Sequence, residues 1–352
     1  MYAISNGLIV NNRQKLVHLD YLKAICIIFV VITHTAISSD LRIRFLFPFY
    51  IDMAVPIFMI ISGYTYSMSL ENRSIHSVLE WFEAKNFSDK FLRIFSPFII
   101  AFLIEIVDKV GIKNIIDLRI NINLKSIAIG FLTGGWGPGS YYFPVLIQLL
   151  IIFPFIYFLI KQKNTVGITY IVLIQFLFEI TIQLLKIPVS AYRLMFLRYL
   201  GCVMIGVIYY LYKDVIKDVL KSNTILHILF SVGFVFIFSL RYLGYKPLIF
   251  KFWPTTSFPS AFYAFTLVYI FSKVDITQFS IVLHNVLSIL GKSSYHIFLV
   301  QMVYFNSKLD NYFLSSFGLL GQIIVSITIC LFIGVVFFSI ETRLRIRRYK
   351  II

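Results

Sequence analysis

The chain has 352 residues, of which 59% are hydrophobic and 14% are charged, and its mean hydropathy is +0.86. Soluble globular domains carry roughly 25% charged residues, so this composition excludes an ordinary soluble protein. A net charge of +16 would suggest a nucleic-acid partner in a soluble chain. Here the basic residues stand at helix ends and in loops, where membrane orientation and lipid headgroups account for them. We expect contact with membrane lipids and no nucleic acid.

Apolar runs recur along the whole length, each long enough for a bilayer core that needs about 20 helical residues. The sequence predicts an all-α integral membrane protein, a polytopic bundle of about ten transmembrane helices in a single domain, residues 1–352. The predicted spans are 16–38, 46–69, 94–111, 140–161, 165–185, 192–212, 224–243, 257–273, 287–307 and 316–340. They lie between a short N-terminus, 1–15, and a basic tail, 341–352.

Basic residues near the two ends predict the orientation. Arg13 and Lys15 precede the first span, and the tail carries a dense basic cluster from Arg343 to Lys350. Because basic segments stay in the cytoplasm, we expect both termini inside, which requires an even number of spans. We expect the first span to act as an uncleaved insertion signal and the protein to be a multi-pass membrane protein.

Two longer connections have their own character. Segment 70–93 mixes charged and aromatic residues and is predicted to be an interfacial amphipathic helix. Residues 134–139, Gly-Gly-Trp-Gly-Pro-Gly, predict a turn-rich loop at the mouth of the fourth span. The three cysteines all fall within spans without metal-ligand spacing, so neither a disulfide nor a metal site is expected.

The first span carries three ionisable residues on one helical face. Lys23 and His34 are eleven residues apart, which places them within roughly 20° of each other around a helix, and Asp20 shares their face. Since such groups are costly against lipid, we expect them to face a cavity in the protein. His34 is the candidate general base. Its alternative is a satisfied core histidine, and the alternative for Lys23 is a snorkelling boundary residue.

The second span combines Pro56 with Ser62 and Gly63, a pattern that allows close backbone approach beside a hydroxyl. Asp52 precedes Pro56 by one turn. It is either a carboxylate partner in the same site or an interfacial residue.

These features together resemble the integral-membrane acyltransferase-3 family of bacterial envelope glycan O-acyltransferases. The resemblance begins with an acidic residue and a basic residue, followed after ten residues by histidine. It continues with a Ser-Gly-aromatic motif in the second span and a basic segment that ends in proline before the third span. Aromatic residues then open the fourth span, a Gly-x-x-Ser-Tyr motif occurs late in the chain, and a glutamate closes the last span. The matching residues here are Asp20, Lys23, His34, Ser62, Gly63, Tyr64, Lys90, Arg93, Pro97, Tyr141, Tyr142, Phe143, Gly291, Ser294, Tyr295 and Glu341. The family usually has Arg at Lys23, and His where this chain has Gln301.

The resemblance implies transfer of an acyl group, most often acetyl, from cytoplasmic acyl-CoA to a hydroxyl of an envelope or extracellular polysaccharide. Acyl-CoA, most often acetyl-CoA, would be a co-substrate, with no permanently bound cofactor. A glycan or lipid-linked glycan would be the acceptor. Lys23, Lys90 and Arg93 would bind the CoA phosphates. His34 would act as base or as a transient acyl carrier. Asp20, Asp52, Ser62, Tyr64, Tyr142, Ser294, Tyr295, Gln301 and Glu341 would bind substrate or support the site.

A second hypothesis is a transporter or flippase for a lipid-linked glycan or small solute. In it, His34, Asp52, Glu105 and Glu179 would form a coupling path. Transporters often show internal repeats with paired broken helices, and no such repeat is visible in the sequence.

Overall fold

All regular secondary structure in the part of the chain that the structure describes is helical. This structure is a computed structural model that describes residues 2–111, 123–245 and 253–351. The α-helices, in chain order, are α1 (Tyr2–Thr33), α2 (Ser39–Arg44), α3 (Phe47–Tyr50), α4 (Ala54–Asn72), α5 (Val78–Phe82), α6 (Ala84–Val110), α7 (Leu124–Leu132), α8 (Tyr142–Leu184), α9 (Val189–Arg193), α10 (Leu200–Leu211), α11 (Lys213–Val219), α12 (Asn223–Arg241), α13 (Ser260–Phe271), α14 (Ile281–Lys292), α15 (Ser294–Asn306) and α16 (Leu309–Ile351).

Within these described ranges, four helical stretches are long and apolar enough to cross a membrane, and up to six if each of two bent helix pairs is one span. The prediction of a polytopic, all-helical membrane protein is therefore confirmed. The count of ten spans stays a prediction. α8 is interrupted at Asn164 (φ 44°), the boundary between the fourth and fifth predicted spans.

α1 lies at the centre of the bundle. It packs against α4, α14, α15 and α16. Tyr21, Ala24, Cys26, Ile27 and Val31 are buried to 1% exposure or less. Burial on several faces of one helix is the arrangement that keeps its polar residues away from lipid.

Glycines set the closest helix contacts. A Cβ at Gly63 would lie 2.3 Å from the Val203 carbonyl oxygen, and one at Gly206 would lie 2.1 Å from that of Ile60. α4 and α10 therefore touch backbone to backbone, as small residues in membrane helices allow. Gly291 makes a comparable contact, because a Cβ there would lie 1.9 Å from the Asp20 carbonyl oxygen.

The predicted amphipathic helix over 70–93 is wrong. α4 continues to Asn72, and α5 and α6 follow as separate helices. Trp81 is fully buried and donates a hydrogen bond to the Leu150 carbonyl oxygen at 3.2 Å. The aromatic residue that suggested an interfacial face is instead part of the packed core.

The ninth predicted span, 287–307, is not straight. α14 and α15 meet at Ser293 with a bend of 68°. The Ser293 hydroxyl donates to the Ile289 carbonyl oxygen at 2.7 Å, and the Ser293 backbone N–H donates to the same oxygen at 2.9 Å. Serine back-bonding of this kind bends helices.

Candidate active site

One cavity of about 710 Å³ runs between α1, α4, α6, α8 and α15. Several residues singled out in the sequence line it together: Lys23, His34, Asp52, Ser62, Arg93, Tyr142, Ser294 and Tyr295. The eleven-residue spacing of Lys23 and His34 thus does place both side chains on the same cavity. Along a helix that spacing corresponds to roughly 16 Å.

His34 lies at one end of the cavity, immediately after the last residue of α1. Arg42 holds this helix end, because its guanidinium donates to the Thr33 carbonyl oxygen at 2.6 Å and the Ile37 carbonyl oxygen at 3.0 Å. Among the described residues, none hydrogen-bonds to the imidazole. Its ring packs near Phe305, with centroids 6.0 Å apart. Because the backbone before His34 is fixed and its ring nitrogens are free to bond to a ligand, His34 is suited to act on a substrate.

The glycine-rich loop 134–139 closes over His34. A Cβ at Gly139 would lie 3.5 Å from the imidazole Nε2. The buried carboxylate of Glu105 accepts hydrogen bonds from the backbone N–H groups of Trp136 (3.1 Å) and Gly137 (3.0 Å). Gln301 donates to the Pro138 carbonyl oxygen at 2.9 Å. Two buried side chains from separate helices therefore fix the loop backbone beside the imidazole.

Lys23 lies at the other end of the cavity. It pairs with Asp20 at 2.6 Å, within one turn of α1. The Tyr295 hydroxyl donates to the Ile94 carbonyl oxygen at 2.9 Å, next to Arg93, whose side chain is exposed at the rim. This end combines two cations with a tyrosine and Ser294, a set of groups able to bind phosphate.

An apolar belt separates the two ends. It consists of lining residues that carry alkyl or aromatic side chains: Ile27, Val30, Phe58, Tyr142 and Phe298. The Tyr142 and Phe298 rings lie 5.2 Å apart. A polar group could enter from either end, while an uncharged chain would suit the belt.

Sequence reasoning missed a group of arginines at the His34 end. Arg241 lies 3.9 Å from Asp52, and Arg42, Arg193 and Arg198 also line the cavity there. Arg193 and Arg241 are exposed, so the cavity reaches the surface at this end as well as beside Arg93. They stand in different elements without a shared spacing, and only the fold brings them together.

Five residues proposed as part of the site lie outside the cavity lining. Asp20 pairs with Lys23, as described. Lys90 donates to the Ser69 hydroxyl at 2.9 Å and lies over the Trp81 ring. Tyr64 packs on Tyr209 and Tyr210. Gln301 acts on the glycine-rich loop, as described. Glu341 lies 3.6 Å from His296 on one side and 3.6 Å from Arg345 on the other.

The two carboxylates of the hypothetical transport path also lie away from the cavity lining. Glu105 accepts the two loop amides. Glu179 accepts hydrogen bonds from the Tyr192 hydroxyl (3.0 Å) and the Gln175 amide (3.0 Å). Both already serve as acceptors that hold neighbouring segments in place.

Comparison with known proteins agrees with this architecture. Residues 16–340 match the family model Acyl_transf_3, described as an acyltransferase domain. No curated protein and no solved structure showed a significant match. The matched region contains every cavity-lining residue named above, from Lys23 to Phe298. The chain belongs to the acyltransferase-3 family and is a membrane acyltransferase.

Proposed function

We propose that the protein moves an acetyl group from cytoplasmic acetyl-CoA to a hydroxyl of an envelope or extracellular polysaccharide. The observation that carries this proposal is one cavity with an uncommitted imidazole at one end and a pair of cations at the other. Because the cavity reaches the surface at both ends, the two substrates can enter from opposite sides.

The donor enters at the Lys23 end. Lys23 and Arg93 meet the CoA phosphates, since cations bind phosphate oxygens through charge-assisted hydrogen bonds. The uncharged arm and its thioester then extend along the apolar belt toward His34. Asp20 orients the ammonium group of Lys23 through its ion pair.

The acceptor hydroxyl enters at the His34 end. In direct transfer, the hydroxyl oxygen attacks the thioester carbonyl carbon, His34 takes the hydroxyl proton, and the carbon–sulfur bond breaks to release the CoA thiolate, which then takes up a proton. In a two-step reaction, an imidazole nitrogen attacks the thioester carbonyl carbon and the carbon–sulfur bond breaks to release the CoA thiolate. The acceptor hydroxyl then attacks the acyl carbon, the carbon–nitrogen bond breaks, and the hydroxyl proton passes to the released imidazole. The free ring of His34 serves either route.

This reaction implies an orientation. The Lys23 end faces the cytoplasm, where CoA is found, and the His34 end faces outward. We infer from this orientation that the protein is a component of the bacterial plasma membrane with both termini in the cytoplasm. This orientation agrees with the basic tail from Arg343 to Lys350 and with Arg13 and Lys15 before the first span.

The alternative of a flippase or solute transporter needs a relay of titratable groups through the membrane. Glu105 and Glu179 are the carboxylates that would complete that relay. Glu105 instead accepts hydrogen bonds from two backbone amides of the glycine-rich loop, and Glu179 accepts one from the Tyr192 hydroxyl. These contacts favour the enzyme over the transporter.

Replacing His34 with glutamine tests the proposal. Glutamine keeps a polar side chain but takes up no proton at neutral pH and carries no acyl group. We expect His34→Gln to lower acylation by at least about 100-fold. The readouts are acetyl transfer from labelled acetyl-CoA and the mass of envelope glycans in a complemented deletion strain.

His227→Gln is the matched control. His227 is exposed on α12 and lies away from the cavity, so this variant should acylate as the wild type does. Near-normal acylation by His34→Gln at matched protein levels would exclude the proposed mechanism. Loss of the surface polymer itself, rather than of its acyl groups, would favour the transporter.

A further inference from the structure

Arg198 is a buried arginine in the wall of the cavity. It lies in a short 3-10 turn, Phe196–Tyr199, that leads into α10, and the residue is only 8% exposed. Its guanidinium carbon lies 4.6 Å from the centre of the Tyr199 ring, 5.2 Å from that of Tyr192 and 6.0 Å from that of Tyr141. Three aromatic faces thus hold the cation in place through cation–π contacts.

Most of the hydrogen-bond donors of the Arg198 guanidinium have no acceptor among the described residues. A guanidinium has five N–H groups, and the hydrogen bond found for this one is a long bond to the Thr256 hydroxyl, at 3.4 Å. No carboxylate of the described residues lies within 4.0 Å of it. Glu179 stands behind Tyr192 and accepts from that hydroxyl and from Gln175.

An unpaired charge in a protein interior is costly. The charge of Arg198 is attracted by the Glu179 carboxylate behind Tyr192. Its remaining N–H groups face the cavity, where water or a bound anion can meet them. The planar fork of a guanidinium matches the two oxygens of a carboxylate or phosphate.

The charges around Arg198 also favour an anion. Arg42, Arg193 and Arg241 line the same end of the cavity, and Asp52 is the acidic residue among the lining side chains. Asp52 is directed toward Arg241 at 3.9 Å. The exposed Arg193 and Arg241 stand at the rim and the buried Arg198 behind them. A cleft lined by one sign of charge concentrates ligands of the opposite sign.

Arg198 shares a chamber with the imidazole. Gly139 adjoins His34 Nε2, and Tyr141, two residues further along the chain, lies over the Arg198 guanidinium. An anionic group held by Arg198 therefore belongs to the molecule that presents its hydroxyl to His34. It does not belong to the CoA phosphates, for which Lys23 and Arg93 stand at the opposite end.

We infer that Arg198 binds an anionic group, a carboxylate or a phosphate, on the acceptor glycan, so that the acceptor is an acidic sugar or a sugar phosphate. This inference rests on the proposed function for its assignment to the acceptor. The anion-binding role of Arg198 is measured separately from catalysis.

Binding of three sugar probes to the full-length protein in lipid nanodiscs tests the inference. Methyl glucuronide carries a carboxylate, glucose 1-phosphate carries a phosphate, and methyl glucoside is the neutral match. We expect calorimetry to show binding of at least one anionic probe and at least about tenfold weaker binding of the neutral probe. The anionic probe that binds shows whether the site recognises a carboxylate or a phosphate.

Arg198→Gln should weaken binding of the preferred anionic probe by about 10- to 100-fold and bring it close to that of methyl glucoside. Arg44→Gln, which removes an exposed arginine outside the cavity, should bind as the wild type does. If Arg198→Gln does not fold, Arg198→Lys serves instead. It keeps the charge but loses the planar fork, so it should bind the anionic probe several-fold more weakly.

Equal binding of neutral and anionic probes, no binding of either anionic probe, or wild-type affinity in the folded Arg198 variants would overturn the inference. So would a raised KM for acetyl-CoA in Arg198→Gln, because the anion would then belong to the donor. His34→Gln should still bind the anionic probe. Normal acylation by that variant would refute the proposed function and leave the anion site standing.

Discussion

The Asp20–Lys23 pair joins two opposite charges at 2.6 Å on one turn of α1. We predict that Lys23→Ala raises the apparent Kd for acetyl-CoA by about tenfold or more, because a charge-assisted hydrogen bond to phosphate is lost. Lys23→Arg should keep most of the affinity, since it restores the charge in a different geometry. Donor titrations on the purified protein measure both values.

Unchanged donor affinity in Lys23→Ala would remove this residue from the CoA site. Asp20→Asn provides the internal comparison. It frees Lys23 from its partner and keeps the cation, so donor binding should persist.

Arg42 acts on His34 from the end of the helix that carries it. Its bond to the Thr33 carbonyl oxygen satisfies an acceptor that the end of α1 leaves without a partner, and its bond to the Ile37 carbonyl oxygen ties the loop that follows His34. We predict that Arg42→Gln destabilises the protein by about 1–3 kcal/mol and lowers the rate of acyl transfer.

Thermal unfolding and initial rates check the effects of this substitution. Arg44→Gln is the matched control and should change neither. An Arg42→Gln protein with wild-type stability would show that the helix end is held by other contacts.

At the scale of the element, Gly291 sets the distance between α14 and α1. A Cβ there would lie 1.9 Å from the Asp20 carbonyl oxygen, so the helices cannot keep their spacing around a side chain. We predict that Gly291→Ala lowers stability by about 1–3 kcal/mol and weakens donor binding, because displacing the α1 backbone at Asp20 also moves Lys23, one turn further along the helix. Its neighbour Lys292 is exposed, and Lys292→Ala should leave both measurements unchanged.

Substitutions of Glu105 test whether this carboxylate supports the glycine-rich loop or relays protons. Glu105 accepts two backbone hydrogen bonds. In Glu105→Gln one amide oxygen can still accept from the loop, and we predict that most acylation is retained. Glu105→Ala removes both acceptors and should lower acylation by about tenfold or more, because buried N–H groups are left without partners. A relay carboxylate would fail equally in both variants.

Helix α1 shows what could be predicted from the sequence. The spacing of Lys23 and His34 follows from helical periodicity, and both side chains line one cavity because α1 is helical up to Thr33. The close contact at Gly63 was also expected from residue size. Such features depend on the local chain alone.

Features that depend on distant partners could not be predicted. Arg42, Arg198 and Arg241 belong to three separate elements and converge only in the folded bundle. The charged and aromatic residues of segment 70–93 predicted an interfacial helix, whereas Trp81 of this segment is fully buried and donates a hydrogen bond to the distant Leu150 carbonyl oxygen. The bend at Ser293 lies where a side-chain hydrogen bond joins the backbone bond to the Ile289 carbonyl oxygen, which composition does not reveal.

At the scale of the whole molecule, the two ends of the cavity belong to different sides of the membrane in the proposed reaction. The loop before α9 lies at the His34 end, since it leads directly into α9, whose residues Val189, Tyr192 and Arg193 line the cavity there. The end of α16 marks the other side, because Glu341 contacts His296, which directly follows Ser294 and Tyr295 of the Lys23 end.

Reporter fusions can read these two markers directly. We predict that a reporter fused after residue 352 lies in the cytoplasm, because the basic cluster from Arg343 to Lys350 holds the tail there. A reporter inserted within 186–191 should lie outside, beside the His34 end. Paired alkaline phosphatase and fluorescent-protein fusions report opposite activities at the two positions. If both positions report the same side, the donor and acceptor cannot enter from opposite faces through the ends described, and the route from cytoplasmic acetyl-CoA to an external hydroxyl fails.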